Sequence, residues 1–264
     1  MTVNPAFQRL ILLTGPEAAQ ALEKSRVIVV GIGGVGSWCA EALVRSGIGK
    51  ISIVDSDNVC VSNINRQIQA LETTVGRLKT EVLEERLKEI NPLCEVSSFP
   101  RLFSKETAGV FDISGADYVI DAIDTLEYKL DLIEIAVSAG KKLYSSMGMA
   151  KKLDPALIKT ADIWETRGCP LARLVRQGLR KRGFSGNFTA VYSAEIENKS
   201  QSTQRSAMLR IASSFTEENG KNTGKMPIGS AVPVTATAGM ILASLVIRDV
   251  CARFEAAPGV HCEQ

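Results

Sequence analysis

The stretch VVGIGGVGSWCAEAL, Val29 to Leu43, decides how the chain is read. Apolar residues run into Gly31, Gly33, Gly34 and Gly36, and an apolar pattern at helical spacing follows. That is a strand, a tight glycine turn and a helix N-terminus, the construction that lays phosphates against free backbone N–H groups. Gly31, Gly33 and Gly36 satisfy the dinucleotide spacing G-x-G-x-x-G. The same turn holds ATP equally well, so the motif alone leaves NAD and ATP both open.

Strands and helices alternate outward from this turn. RVIVVGI is the first strand, and KISIVDSD the second, with a helix between them. TVGRLKTEVLEERLKEIN sets Val75, Leu78, Val82, Leu83, Leu87 and Ile90 on one helical face. CEVSSF, ADYVIDAID and KKLYSSM are the third, fourth and fifth strands, and LEYKLDLIEIAVSAG is a helix closing on Gly140. This order predicts an α/β fold of Rossmann-like type: a doubly wound, mostly parallel sheet with helices on both faces. Residues 1–25 read as a helical lead-in, so 1–150 forms a nucleotide-binding core. Residues 151–264 form a C-terminal extension packed on the same domain. It contains a basic helix over 169–183, a strand in NFTAVYSAE, a mobile loop over 197–226 and an apolar helix over 233–253.

The bulk numbers narrow the function. The 264 residues are 45% hydrophobic and 23% charged, ordinary for one full-cored α/β domain with a modest extension. A net charge of +2 demands no polyanion partner, so any basic patch is local. The N-terminus lacks the basic and apolar runs of a signal peptide, which predicts a cytoplasmic protein. IGSAVPVTATAGMILASLVI is long and uncharged, but its Ala, Thr, Ser and Gly content and Pro233 favour a buried helix over a membrane span. No two of the six cysteines form C-x-x-C and the one histidine is His261, so no structural zinc site is expected. Histidine-based acid–base chemistry is disfavoured for the same reason.

The residues after each strand bear on the nucleotide. Asp55 lies 19 positions past Gly36, where a carboxylate meets a ribose hydroxyl pair of either NAD or ATP. Asp57, Asn63, Arg66 and Gln67 follow, and Lys79 lies one helical turn into the next helix. A reaction at the α-phosphate of ATP must balance a triphosphate and a departing pyrophosphate, with fixed cations and a metal-binding carboxylate. Arg66, Lys79 and, at the end of the fourth strand, Asp124 fit those roles. Each alone is also what a solvated loop or helix face carries, and Asp121 and Asp124 also suit a strand end and a helix N-cap. Their joint placement past strand ends, where α/β sheets bind ligands, favours the functional reading.

GIGGVGSW, DSDNVCVSNINRQ, TVGRLKTEV, INP and VIDAIDT resemble the adenylation domain shared by ubiquitin-activating enzymes and bacterial sulfur-carrier activators. The resemblance covers most of residues 5–150. It implies ATP and Mg2+ as cofactors, with Gly31, Gly33, Gly34, Gly36, Asp55, Asp57, Asn63, Arg66, Gln67 and Lys79 on the nucleotide and Asp124 on the metal. It also implies a homodimer in which an N-terminal arginine reaches the partner's site. Arg9 in AFQRLILLTG takes that place, and Ala6 stands where relatives often show a first arginine.

Within this superfamily, SSMGMAKKLDPALIKTADI, GCPLARLVRQGLRKRG and PVTATAGMILAS resemble the tRNA threonylcarbamoyladenosine dehydratases. Those enzymes activate the threonylcarbamoyl carboxylate on a tRNA adenosine and cyclise it, which makes tRNA the expected substrate. Thr166 to Ala194 contains no acid but holds Arg173, Arg176, Arg180, Lys181 and Arg182. Arg173, Arg176 and Arg180 share one helical face, either a phosphate-binding stripe or a solvated surface. Cys169 heads that helix, a position that lowers a thiol pKa and suits the thioester role of carrier activators, although a cyclisation needs no thiol. Cys60 reads as packing in the nucleotide loop. Two rivals stand beside this reading: activation of a ubiquitin-like sulfur carrier, with a sulfur-relay protein as partner, and an NAD-binding redox or sensor protein.

Overall fold

The computed structural model describes residues 4–196 and 228–255. Seven strands form one sheet: β1 (Arg26–Val30), β2 (Lys50–Val54), β3 (Glu95–Phe99), β4 (Tyr118–Asp121), β5 (Lys142–Ser146), β6 (Ile158–Asp162) and β7 (Thr189–Ser193). Their spatial order is β3-β2-β1-β4-β5-β7-β6. Every neighbouring pair is parallel except β6 and β7. The chain winds outward from β1 to β3, returns to the middle, and winds the other way from β4. The doubly wound fold expected from the alternation is therefore observed. Its switch point, where such sheets open a crevice, lies between β1 and β4.

The central strands are covered on both faces, which is why β1 reads as the unbroken β-branched run Val27 to Val30. Val27 and Val29 of β1 face one core with α3 (Gly36–Arg45), α4 (Lys79–Ile90) and the last helix. Ile28 and Val30 face the other core with α5 (Leu126–Ser138) and α6 (Pro170–Lys181). The lead-in is α1 (Gln8–Thr14) and α2 (Pro16–Lys24), the second running straight into β1.

The apolar segment near the C-terminus is α7 (Val232–Glu255). It is long and apolar enough to cross a membrane, yet Val234, Ala238, Leu242, Ala243, Val246 and Val250 are built into the α3 core. Gly239 makes this packing close: a Cβ there would stand 2.5 Å from Val35 O. At its far end Asp249 Oδ2 accepts from Tyr118 Oη at 2.8 Å, and Arg253 Nη2 donates to the same Tyr118 Oη at 2.7 Å. Lys142 Nζ lies 2.9 Å from Asp249 Oδ1. The expected buried helix is thus observed.

Three expectations need correction. Val75 and Leu78 precede α4, because Gly76 turns at φ +88° and residues 76–79 bond back to Asp57 and Val59. Lys79 is therefore the first residue of its helix and not a turn inside it. Asp124 lies three residues beyond β4, since the strand ends at Asp121. Strand β6 was not anticipated: IKTAD is short, half polar and on the sheet edge, so it carries no alternation. The loop expected over 197–226 lies outside the described residues.

Candidate active site

The glycine turn follows from its contacts. Gly31 has φ +85°, and a Cβ on it would lie 2.8 Å from Ala122 O, on the chain leaving β4. A Cβ on Gly36 would stand 1.9 Å from Gly31 O. Only glycine lets the turn press against β4 and α3 start beneath it. Ile32, between the first two glycines, is held from both sides: its N–H donates to Asp55 Oδ2 at 3.0 Å, and its carbonyl accepts from Gln69 Nε2 at 2.8 Å.

The charged groups gather around this turn. Lys79 Nζ lies 2.8 Å from Asp57 Oδ2 and 3.7 Å from Asp55 Oδ1. Burial pushes the Asp55 carboxyl above its ordinary pKa, and the Lys79 charge works against that. Arg66 lays its stem on Gly34, where a Cβ would meet Arg66 Cγ and Cδ at 3.3 Å. Its guanidinium donates to Ser62 O at 2.8 Å and Asn65 Oδ1 at 2.9 Å. Burial draws Arg66 below its ordinary pKa, and the negative Asp124 acts in the opposite direction. The charge of Asp124 thus reaches Arg66 across the crevice. Asp124 is exposed at its lip, and Thr125 Oγ1 donates to it at 3.4 Å.

Asn63 and Gln67 are buried in the loop that carries Arg66. Asn63 Oδ1 accepts from Cys60 N at 3.1 Å, so this side chain braces the loop. Cys60 itself is exposed, which corrects the packing role expected for it. Sequence reasoning missed Gln69, and it missed the first turns of α7 as a wall. Asn65 Nδ2 donates to Ser230 O at 2.9 Å, and Thr235 Cβ would lie 3.3 Å from a Cβ on Gly34. Some 200 residues separate Gly34 from Thr235, so no local pattern could have joined them.

The arrangement fits a nucleoside triphosphate: a cradle that a Cβ would fill, fixed cations beside it, and a hard carboxylate oxygen donor at the lip of the kind magnesium takes. The ThiF family model matches residues 7–258. The chain belongs to the ThiF family. Its likeness to particular members runs nearly end to end. It is 39% identical over 249 residues to a tRNA threonylcarbamoyladenosine dehydratase of Bacillus subtilis, covering 92% of this chain and 94% of that one. The crystal structure of the E. coli tRNA N6-threonylcarbamoyladenosine dehydratase in complex with ATP superposes with a TM-score of 0.80 at 32% identity, covering 97% of this chain and 99% of that one. A sulfur carrier protein adenylyltransferase of Thermus thermophilus matches at 35% identity over 136 residues, only 52% of this chain and 50% of its own length.

Within this ThiF-family fold, Gly31, Gly33, Gly34, Gly36, Asp55, Asp57, Asn63, Arg66, Gln67, Lys79 and Asp124 all lie at the carboxyl ends of β1, β2 and β4. Arg9 does not join them. It is exposed on α1, and Phe7 beside it rests on Gly47, at the opposite end of the sheet. The basic stripe on α6 divides. Arg176 donates to Thr166 Oγ1 and to Ile163 O, and Arg182 pairs with Asp131 at 2.7 Å and Glu134 at 2.9 Å. Arg180 stacks over Trp164 at 5.3 Å while remaining exposed. Arg173 and Lys181 are exposed as well. The single continuous face expected from helical spacing is broken, because Ala172, Val175 and Leu179 turn inward and draw Arg176 with them. Cys169 heads α6 but is 4% exposed, its sulfur against Gly148.

Proposed function

We propose that this chain is an ATP-dependent tRNA threonylcarbamoyladenosine dehydratase. What carries the reading is the extent of the likeness: similarity to dehydratases continues through β6, β7 and α7, whereas similarity to a carrier adenylyltransferase stops at about half the chain. The amides of the glycine turn and the α3 N-terminus cradle the ATP phosphates, and Asp55 receives the ribose. Arg66 and Lys79 offset the charge that builds on the phosphates, Lys79 exchanging its Asp57 contact for them. Asp124 would hold magnesium, which supplies charge neutralisation at the phosphate oxygens.

The substrate carboxylate oxygen attacks the α-phosphorus in line. The bond from that phosphorus to the bridging oxygen breaks, and pyrophosphate leaves. A heteroatom of the same threonylcarbamoyl group then attacks the activated carbonyl carbon, AMP leaves with the electron pair of the broken C–O bond, and the heteroatom's proton passes to solvent. The substrate loses the elements of water, and proximity within one nucleotide drives the ring closure. No step requires a thiol, which agrees with the burial of Cys169.

Arg9 acts in the site of a second copy, so the working form is a homodimer. Leu12 and Leu13, 75% and 81% exposed beside it, support burial of this helix against a partner. Arg173, Arg180 and Lys181 contact the RNA backbone. A cytoplasmic location goes with this chemistry, and a sulfur-relay protein is a further partner. The test is to incubate the protein with ATP, Mg2+ and tRNA bearing threonylcarbamoyladenosine, then weigh the nucleosides. A product lighter by one water, lost in Asp124→Ala, supports the reading. An unchanged nucleoside, with AMP formed on a carrier protein ending in Gly-Gly, overturns it.

A further inference from the structure

Asp121, the last residue of β4, is fully buried opposite Ser145 of β5. Three donors converge on its carboxylate. Lys129 Nζ and Ser145 Oγ lie 2.6 and 2.5 Å from Oδ2, and the Ile123 amide lies 3.0 Å from Oδ1. Lys129, in the first turns of α5, is itself 0% exposed and approaches Ser145 Oγ at 3.4 Å. Burying two charges is an inefficient way to stabilise a core, since apolar residues of the same volume often serve as well or better. An apolar pair cannot direct a bond at a chosen amide. Here the amide belongs to Ile123, the residue before Asp124.

The other flank of the same turn is pinned too. Ala122 N donates to Val30 O at 2.9 Å, and Ala122 O is the atom against which Gly31 packs. Beyond Asp124, the Lys129 amide donates to Thr125 O at 3.0 Å and closes the first turn of α5. Residues 122–125 are thus clamped between β1 and the buried Asp121–Lys129–Ser145 group.

We propose that Lys129 and Asp121 are positioning residues that fix the turn carrying Asp124 and thereby set its reach toward the metal of the nucleotide. The proposal rests on the reading of Asp124 as the magnesium carboxylate. Outer partners that orient a metal ligand are worth about 10–100-fold in metal affinity or activity.

The test compares two double variants of the full-length protein. Asp121→Leu with Lys129→Met removes both charges and the acceptor for the Ile123 amide. Asp121→Asn with Lys129→Met removes the charges but keeps an amide oxygen at that place. ATP binding is measured by calorimetry in EDTA and in MgCl2, and pyrophosphate exchange is followed against magnesium concentration. The Leu/Met protein should bind ATP in EDTA like wild type, lose the gain in affinity that magnesium gives, and need about 10–100-fold more magnesium for exchange. The Asn/Met protein should recover most of that gain.

A Leu/Met protein with the wild-type magnesium gain overturns the proposal, and so does an Asn/Met protein as impaired as Leu/Met. Should the Leu/Met pair fail to fold, Ser145→Ala, which deletes one donor and no charge, is expected to raise the magnesium requirement, and no rise overturns the proposal. Asp124→Ala separates the two levels. If it too keeps the wild-type magnesium gain, the reading of Asp124 falls; if it alone loses that gain, only the positioning role falls.

Discussion

Gly239→Ala would place a methyl group where α7 crosses α3. A Cβ there would stand 2.5 Å from Val35 O, 2.9 Å from Cys39 N and 2.9 Å from Trp38 Cβ. Val35 O and Cys39 N are the two ends of one helical hydrogen bond, 3.0 Å long, in the first turn of α3. Two effects oppose each other. Alanine favours a helix interior over glycine by about 1 kcal/mol. Overpacking costs about 1–3 kcal/mol, and the upper part of that range applies because backbone cannot rotate aside. The net loss is then about 1–2 kcal/mol, a fall in Tm of about 2–8 °C for a chain of this size. Gly178→Ala in α6 is the control, since its Cβ would meet Leu130 Cδ1 at 2.5 Å, the end of a side chain that can turn away. Thermal melts should rank wild type and Gly178→Ala above Gly239→Ala, and calorimetry should find weaker ATP binding in Gly239→Ala. A Gly239→Ala protein that melts at or above wild type, with unchanged ATP affinity, would refute the reasoning.

Four further outcomes are expected. Burial alone would raise the Asp249 carboxyl, but hydrogen bonds from Lys142, Tyr118 and Arg253 hold it below the usual range. Its contribution is therefore present above the unfolded pKa of about 3.9 and lost as pH falls through the folded value, so the gap in Tm between wild type and Asp249→Asn should narrow below about pH 4. A constant gap down to about pH 3 would count against this linkage. Reversing Arg173 and Lys181 to Glu should weaken tRNA binding and flatten its log–log salt slope by about 0.7–0.9 per lost phosphate contact; wild-type affinity and slope would return α6 to a solvated surface. Arg176→Ala should instead lower Tm and leave that slope alone, because its guanidinium serves Thr166 and Ile163. Mixed dimers of Arg9→Ala and Asp124→Ala subunits should regain activity at the one site holding both residues, and mixed dimers that form yet stay inactive would exclude a shared site.

Much of this molecule is legible where chemistry is local. The glycine turn is written in four residues because a Cβ at Gly31 or Gly36 would strike backbone. β1 and β4 stand out because strands covered on both faces read as near-continuous apolar runs, as Val27 to Val30 and Tyr118 to Ile120 do. Legibility fails where geometry depends on distant partners. The start of α4 is set by bonds back to Asp57 and Val59, which helical periodicity cannot register. β6 exists because β7 offers it an antiparallel edge, not because IKTAD has a strand's pattern. Arg173, Arg176 and Arg180 share a face on a helical wheel, yet Thr166 claims Arg176, and Asp131 with Glu134 claim Arg182 just past the helix. Asp121 and Asp124 look alike in IDAID, and only the fold buries one with Lys129 while leaving the other exposed.

The seating of α7 on α3 also has a consequence in time. A ribosome delivers Gly36–Arg45 well before Val232–Glu255, with roughly 190 residues between them. At about 5–20 residues per second, the nucleotide helix waits about 10–40 s for the element that covers it. Through that interval Cys39, Leu43 and Val44, which end fully buried, lack the α7 half of their core. The nascent chain therefore carries its glycine turn on an unfinished support until α7 has been made, and the docking of that helix is what completes this wall of the pocket.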